Sequence, residues 1–150
     1  MFQTIKTTAL IATALASLTF VSNANADITW KPDRTQGVQS AQETNKPILV
    51  FVTADWCHYC QKMKRQTWSN QTVAATVNKD FVPVLIDGDR QRAEVSRLQV
   101  RGFPTTFVFA PDGKVLGKRS GYMSPAETKR WLDSLPKPKQ RIAVINRISG

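Results

Sequence analysis

Short unbroken apolar runs alternate along the chain with stretches whose apolar residues recur every three or four positions. Ile48-Leu49-Val50-Phe51-Val52 follows Pro47 directly, and its length and β-rich composition predict a buried strand. Phe81 to Ile86 is a second run, but Pro83 lacks a backbone donor and argues against a central position for its first half. Thr105 to Ala110 is a third. The turn Pro111-Asp112-Gly113-Lys114 sends the chain back through Val115 to Ser120 as a hairpin. Asp27 to Trp30 is expected to form a short first strand. Between these runs the period is helical. Thr35 to Thr44 carries Val38 and Ala41 three apart and must end before Pro47. A helix from Cys57 to about Thr67 places Cys60, Met63 and Thr67 on one face and Lys62, Lys64 and Arg65 elsewhere. Ser69 to Asn78 carries Val73 and Val77, and Gln91 to Gln99 carries Val95 and Leu98. Ser124-Pro125-Ala126-Glu127 reads as a capping box with proline at the first helical position. It opens a helix to about Leu135 with Trp131, Leu132 and Leu135 inward, stopped by Pro136 and Pro138. Trp30, Trp68 and Trp131 read as packing residues.

Buried strands joined by helices, followed by a hairpin, predict an α/β fold with a partly parallel sheet. No internal repeat interrupts it. The two ends differ from this core. Lys6 is followed by the apolar run Ala9 to Val21 and by Ala24-Asn25-Ala26, the pattern of a secretory signal peptide over residues 1–26. That apolar run is short for a membrane span. The folded domain is expected over residues 27–136, and residues 137–150 form a basic tail with one apolar patch, Ile142 to Ile145. The 150 residues carry a net charge of +10, of which only Lys6 falls in the expected signal. The remaining basic residues are spread from Lys31 to Arg147 without a nucleic-acid motif, which reads as a basic surface and not as a polyanion site. Only two cysteines are present, too few for a disulfide-stapled scaffold.

Those two cysteines carry the chemistry. Cys57-His58-Tyr59-Cys60 follows the first apolar run after a short polar turn, where ligand crevices form in α/β sheets. Cys57 stands at the expected helix N-terminus, where unpaired N–H groups and the helix dipole favour a thiolate. Cys60 lies one turn on and can close a disulfide with it. The pair could instead be half of a zinc or copper site, with His58 as the chain's one imidazole, or a structural disulfide. His58 and Tyr59 could equally be plain surface residues, and Asp87 and Asp89 a solvated strand end.

Trp56-Cys57-His58-Tyr59-Cys60 after an apolar strand resembles the active site of the thioredoxin superfamily. Arg101-Gly102-Phe103-Pro104-Thr105, about 45 residues further on, resembles that family's cis-proline loop. Lys46-Pro47, Ala54-Asp55-Trp56-Cys57 and Gly121-Tyr122-Met123 are most similar to exported members such as the C-terminal domain of DsbD-type disulfide reductases. The resemblance implies a thioredoxin fold, a central mixed sheet flanked by helices. It implies that Cys57 attacks and Cys60 resolves, and that Trp56, Phe103 and a cis Pro104 contact substrate; His58 and Tyr59, standing between the cysteines, are candidates for tuning the pair. Three positions depart from the pattern. Phe51 stands where many members carry a buried acid, Leu85 where thioredoxins place a lysine, and Lys64 where the DsbD-type domain has a glutamate. The resulting expectation is an exported, periplasmic thiol–disulfide oxidoreductase with no cofactor and no metal. Its partners would be protein disulfides or dithiols and a redox protein that recharges the pair, with no nucleic acid and no stable membrane insertion. The alternative is a redox-inert binding module or copper-handling metallochaperone on the same fold.

Overall fold

The computed structural model describes residues 27–136; the expected signal peptide and basic tail lie outside them. Helix α1 (Arg34–Thr44) leads into strand β1 (Ile48–Thr53), then α2 (His58–Met63), a π-helical segment (Lys64–Trp68) and α3 (Gln71–Asp80). Strand β2 (Val82–Asp87), α4 (Arg92–Arg97), β3 (Thr105–Phe109), β4 (Val115–Ser120) and α5 (Pro125–Ser134) complete the order. The sheet runs β2-β1-β3-β4, with β1 parallel to β2 and antiparallel to β3, and with β3 and β4 as the hairpin.

All six residues of β1 are buried, because side chains alternate between two covered faces. Leu49 and Phe51 join Met63, Trp68, Val73, Val77, Trp131 and Leu132 beneath α3 and α5. Ile48, Val50 and Val52 join Ala41, Val84, Ile86, Leu98 and Phe107 on the opposite face. Full burial of a side chain such as Phe51 contributes about 1.5–3 kcal/mol. Pro83 behaves as expected for an edge strand. Its carbonyl accepts from the Lys31 N–H at 2.8 Å, so residue 83 turns its backbone away from β1 and costs that ladder no donor.

Three boundaries differ from the sequence expectation. Residues Asp27 to Trp30 form no strand; only Lys31 bridges to Val84. Their backbone is claimed elsewhere: Asn78 on α3 accepts from the Thr29 N–H at 3.3 Å and donates to the Asp27 carbonyl at 2.9 Å. The third helix starts at Gln71, because Asn70 caps it by accepting from the N–H groups of Thr72 and Val73. The helix opened by the cysteines becomes π-helical after Met63, and Thr67 and the adjacent Trp68 are both buried there. The predicted capping box at Ser124 and Glu127 is present in full.

Candidate active site

Parallel pairing sets Thr53 of β1 beside Asp87 of β2, and the Gly88 N–H donates to the Thr53 carbonyl at 2.7 Å. The loops after these two strands therefore leave the sheet side by side. The first makes a tight turn, with the Cys57 N–H on the Ala54 carbonyl at 3.2 Å. Cys57 is the N-cap of α2, and its Sγ accepts from the Cys60 N–H at 3.1 Å. Cys57 and Cys60 form a disulfide with their Cα atoms 5.2 Å apart. Cys57 is 5% exposed and Cys60 0%, so of the two only Cys57 meets solvent at all. The N–H that caps a disulfide sulfur caps a thiolate more strongly, since hydrogen bonds to charged acceptors are about twice as strong as neutral ones.

The second motif closes over this pair. Phe103 packs against Ala54, Cys57 and Cys60, and the Phe103–Pro104 peptide is cis. Thr105 Oγ1 donates to the Gly102 carbonyl at 2.7 Å and fastens the turn. Trp56 meets the Phe103 ring edge-on, with centroids 5.7 Å apart, yet is 72% exposed. Gly88 is required below it, since a Cβ there would come within 2.7 Å of the Phe103 ring. His58 and Tyr59 are exposed, and their rings meet edge-on at 5.8 Å. The structure thus brings Trp56, Cys57, Cys60 and Phe103 together, with Pro104 buried next to Phe103 and with His58 and Tyr59 on the outer turn.

Asp89 was not among the expected site residues. It is more than a solvated strand end: Oδ2 accepts from the Asp55 N–H at 2.9 Å, and Oδ1 accepts from Trp56 Nε1 at 3.1 Å. Asp87 orients it by accepting from the Asp89 N–H at 3.0 Å. The signal for this was the pair of strands ending in parallel, which sets Asp87-Gly88-Asp89 beside the cysteine loop. The three departures from the family pattern are also explained in part. Phe51 is 0% exposed and stacks edge-on with Trp68 at 5.3 Å, while Trp30 lies 6.0 Å from it. An aromatic trio occupies the place of a buried acid. Leu85 and Lys64 line a cleft of about 350 Å³ next to it, together with Asp27, Ile28 and Ser69.

The arrangement is a Cys-x-x-Cys disulfide at a helix N-terminus packed against a cis-proline turn, and comparison with known proteins bears on its family. The family model of the thioredoxin-like domain matches residues 35–136. An uncharacterised protein of Caenorhabditis elegans is 30% identical over 105 residues, 70% of this chain and 14% of that protein. The thiol:disulfide interchange protein DsbD of Ralstonia nicotianae is 32% identical over 97 residues, 62% of this chain and 16% of that protein. The chain therefore spans less than a fifth of either relative. Among solved structures, a DsbH oxidoreductase superposes with a TM-score of 0.67 at 20% identity, over 86% of this chain and 93% of that one, which bears on the fold alone. A thioredoxin fold closed over a Cys-x-x-Cys disulfide, matched by the family model across most of its length, places this chain in the thioredoxin-like domain family.

Proposed function

We propose that the chain is an exported oxidoreductase that reduces or exchanges disulfides in other proteins, with Cys57 attacking and Cys60 resolving. The observation that carries this reading is the asymmetry within one disulfide: Cys57 keeps a small solvent exposure and is capped by a main-chain donor, and Cys60 is fully buried. In the reduced state Cys57 thiolate attacks a substrate disulfide, forming a mixed disulfide and releasing one substrate thiolate. Cys60 then attacks Cys57 Sγ, releases the second substrate thiolate and closes the Cys57–Cys60 bond. Two electrons pass to the substrate, and a dithiol partner must return them. Trp56, Phe103 and Pro104 supply the contact surface, and His58 and Tyr59 adjust the thiolate from the outer turn. Residues 1–26 act as the export signal, which suits a periplasmic site of action; residues 27–136 form the domain, and 137–150 are a tail outside its core.

Cys60→Ala should accumulate mixed disulfides with partner proteins, resolved by non-reducing electrophoresis, and Cys57→Ala should not. Equal trapping by both variants would overturn the assignment. Tight stoichiometric copper(I) binding by a protein without disulfide reductase activity would replace it with the metallochaperone reading. Export is checked by N-terminal sequencing of the protein from a periplasmic fraction, where Asp27 is the expected first residue.

A further inference from the structure

The rim around the cysteine pair is charged differently on its two sides. On the Trp56 side stands the Asp89 carboxylate, fixed by its two hydrogen bonds to the loop, and exposed Asp55 precedes Trp56 in that loop. On the other side the loop after β4 abuts the proline turn, with the Gly121 N–H donating to the Pro104 carbonyl at 2.8 Å. The next residue, Tyr122, carries the Lys62 ammonium over its ring, 4.6 Å from the centroid. Tyr122 is itself held, since its hydroxyl donates to Gln66 Oε1 at 2.9 Å. The loop is anchored once more where Thr67 Oγ1 donates to the Met123 carbonyl at 2.6 Å. Lys62 lies on α2 two residues beyond Cys60, and exposed Arg101 lies two residues before Phe103. Among the described residues no carboxylate pairs with Lys62 or Arg101.

We propose, resting on the oxidoreductase reading above, that this cationic side selects substrates bearing an aspartate or glutamate next to the reacting disulfide. An extended substrate strand along the proline turn advances about 3.3 Å per residue, so side chains one or two positions from the cysteine fall within the rim. Lys62 meets such a carboxylate from a position already fixed by the Tyr122 ring, which reduces the ordering cost of the contact. Arg101 adds a second cation, an exposed one, where the chain enters the proline turn. Asp55 and Asp89 repel an acid from the Trp56 side, so the charge pattern sets the direction in which the substrate lies as well as its composition. A basic neighbour meets the reverse pattern and reacts more slowly.

The test is single-turnover reaction of the reduced protein with three disulfide peptides that share one cystine and differ in their flanks, acidic, neutral or basic. In each case the Cys57–Cys60 dithiol is oxidised and the peptide disulfide is reduced to two thiols. At low ionic strength the acidic peptide should react about tenfold faster than the basic one, and the ratio should shrink as salt rises. Lys62→Gln should cut the ratio by about threefold, and Lys62→Glu should bring it to one or below. Lys79→Gln removes an equal charge before β2, at the opposite end of the sheet, and should leave the ratio nearly unchanged. No reaction with any peptide would overturn the oxidoreductase reading itself. Reaction at a ratio near one would overturn this proposal alone. So would a ratio that moves equally in the Lys62 and Lys79 variants, which would assign it to net charge. Where Lys62→Glu fails to fold, Lys62→Gln carries the comparison with Lys79→Gln, and a purely structural Lys62 would slow all three peptides alike.

Discussion

Asp89 offers the sharpest test of how the site is held. Its carboxylate takes the Asp55 N–H at 2.9 Å and the Trp56 indole N–H at 3.1 Å, bridging the loops after β1 and β2. Hydrogen bonds to a charged group contribute about 1.5–3 kcal/mol each. Asp89 and Trp56 are exposed, so water replaces much of what truncation removes, and the pair is worth about 1–2 kcal/mol in all. Asp89→Ala should lower the melting temperature of the oxidised protein by roughly 4–10 °C for a domain of this size. Asp89→Asn keeps one carbonyl acceptor and loses the charge, so it should fall between Asp89→Ala and wild type. Freed from Asp89, the Trp56 ring should leave its edge contact with Phe103 and become more open to acrylamide quenching. Disulfide reduction should slow about fivefold, the equivalent of roughly 1 kcal/mol of lost positioning. The measurements are thermal unfolding, tryptophan quenching and single-turnover reduction on the same three proteins. A melting temperature and quenching constant unchanged in Asp89→Ala would return Asp89 to the status of a solvated strand end.

Asn78→Ala should destabilise the domain by about 1–2 kcal/mol in urea titration, because it releases both the Asp27 carbonyl and the Thr29 N–H; a loss below about 0.3 kcal/mol would mean that the N-terminal segment holds without it. Gly37→Ala should cost about 1–3 kcal/mol, since the added Cβ collides with Val84 Cγ2 beneath α1, and an unchanged midpoint would show that the helix can shift aside. Ser124→Ala should lower the melting temperature at neutral pH, and the gap should narrow in acid. The Ser124 hydroxyl and N–H hold the Glu127 carboxyl below its usual value of 4.5. A depressed folded value means stability present above the unfolded value and lost as pH falls through the folded one. A gap that stays constant below pH 4.5 would separate the cap from Glu127.

The elements with a strong period, and the two motifs, were legible because each is a local pattern. The apolar runs at Ile48 and Thr105 became β1 and β3, and the capping box at Ser124 appeared as read. What escaped was set by side chains reaching the backbone across long separations. Asn78 takes the backbone groups of Asp27 and Thr29 about fifty residues away, so a segment with strand-like composition runs instead as a strap pinned to α3. Asp89 holds the Asp55 N–H across 34 residues. A single Asn or Asp carries no periodicity, so neither contact leaves a trace in the chain. The π-helical turn is a smaller instance: Lys64–Trp68 departs from the 3.6-residue period for a single turn, too short a stretch to leave a period of its own in the sequence.

The same long-range packing bears on the redox poise. A carboxylate at position 51 would put a negative charge in the buried core on the strand that leads to the pair, and a charge there would disfavour the Cys57 thiolate and raise the free energy of the reduced state. Phe51 instead closes an aromatic trio with Trp30 and Trp68 and brings no charge. The opposing charges are Asp55 and Asp89, both on the rim in water, where salt screens them. The stabilising contact is direct: the Cys60 N–H points at Cys57 Sγ at 3.1 Å in a site only 5% exposed. A direct main-chain donor in a low-dielectric pocket outweighs screened charges at the surface. Stabilising the thiolate stabilises the reduced form and makes the disulfide more oxidising. The expected potential therefore lies above the roughly −270 mV of thioredoxin, and below the roughly −120 mV of DsbA. Equilibration with glutathione measures it, and Phe51→Glu, or Phe51→Gln if the charged variant fails to fold, isolates the charge from the shape. A wild-type potential at or below that of thioredoxin would show that the rim carboxylates, not the buried floor, control the pair.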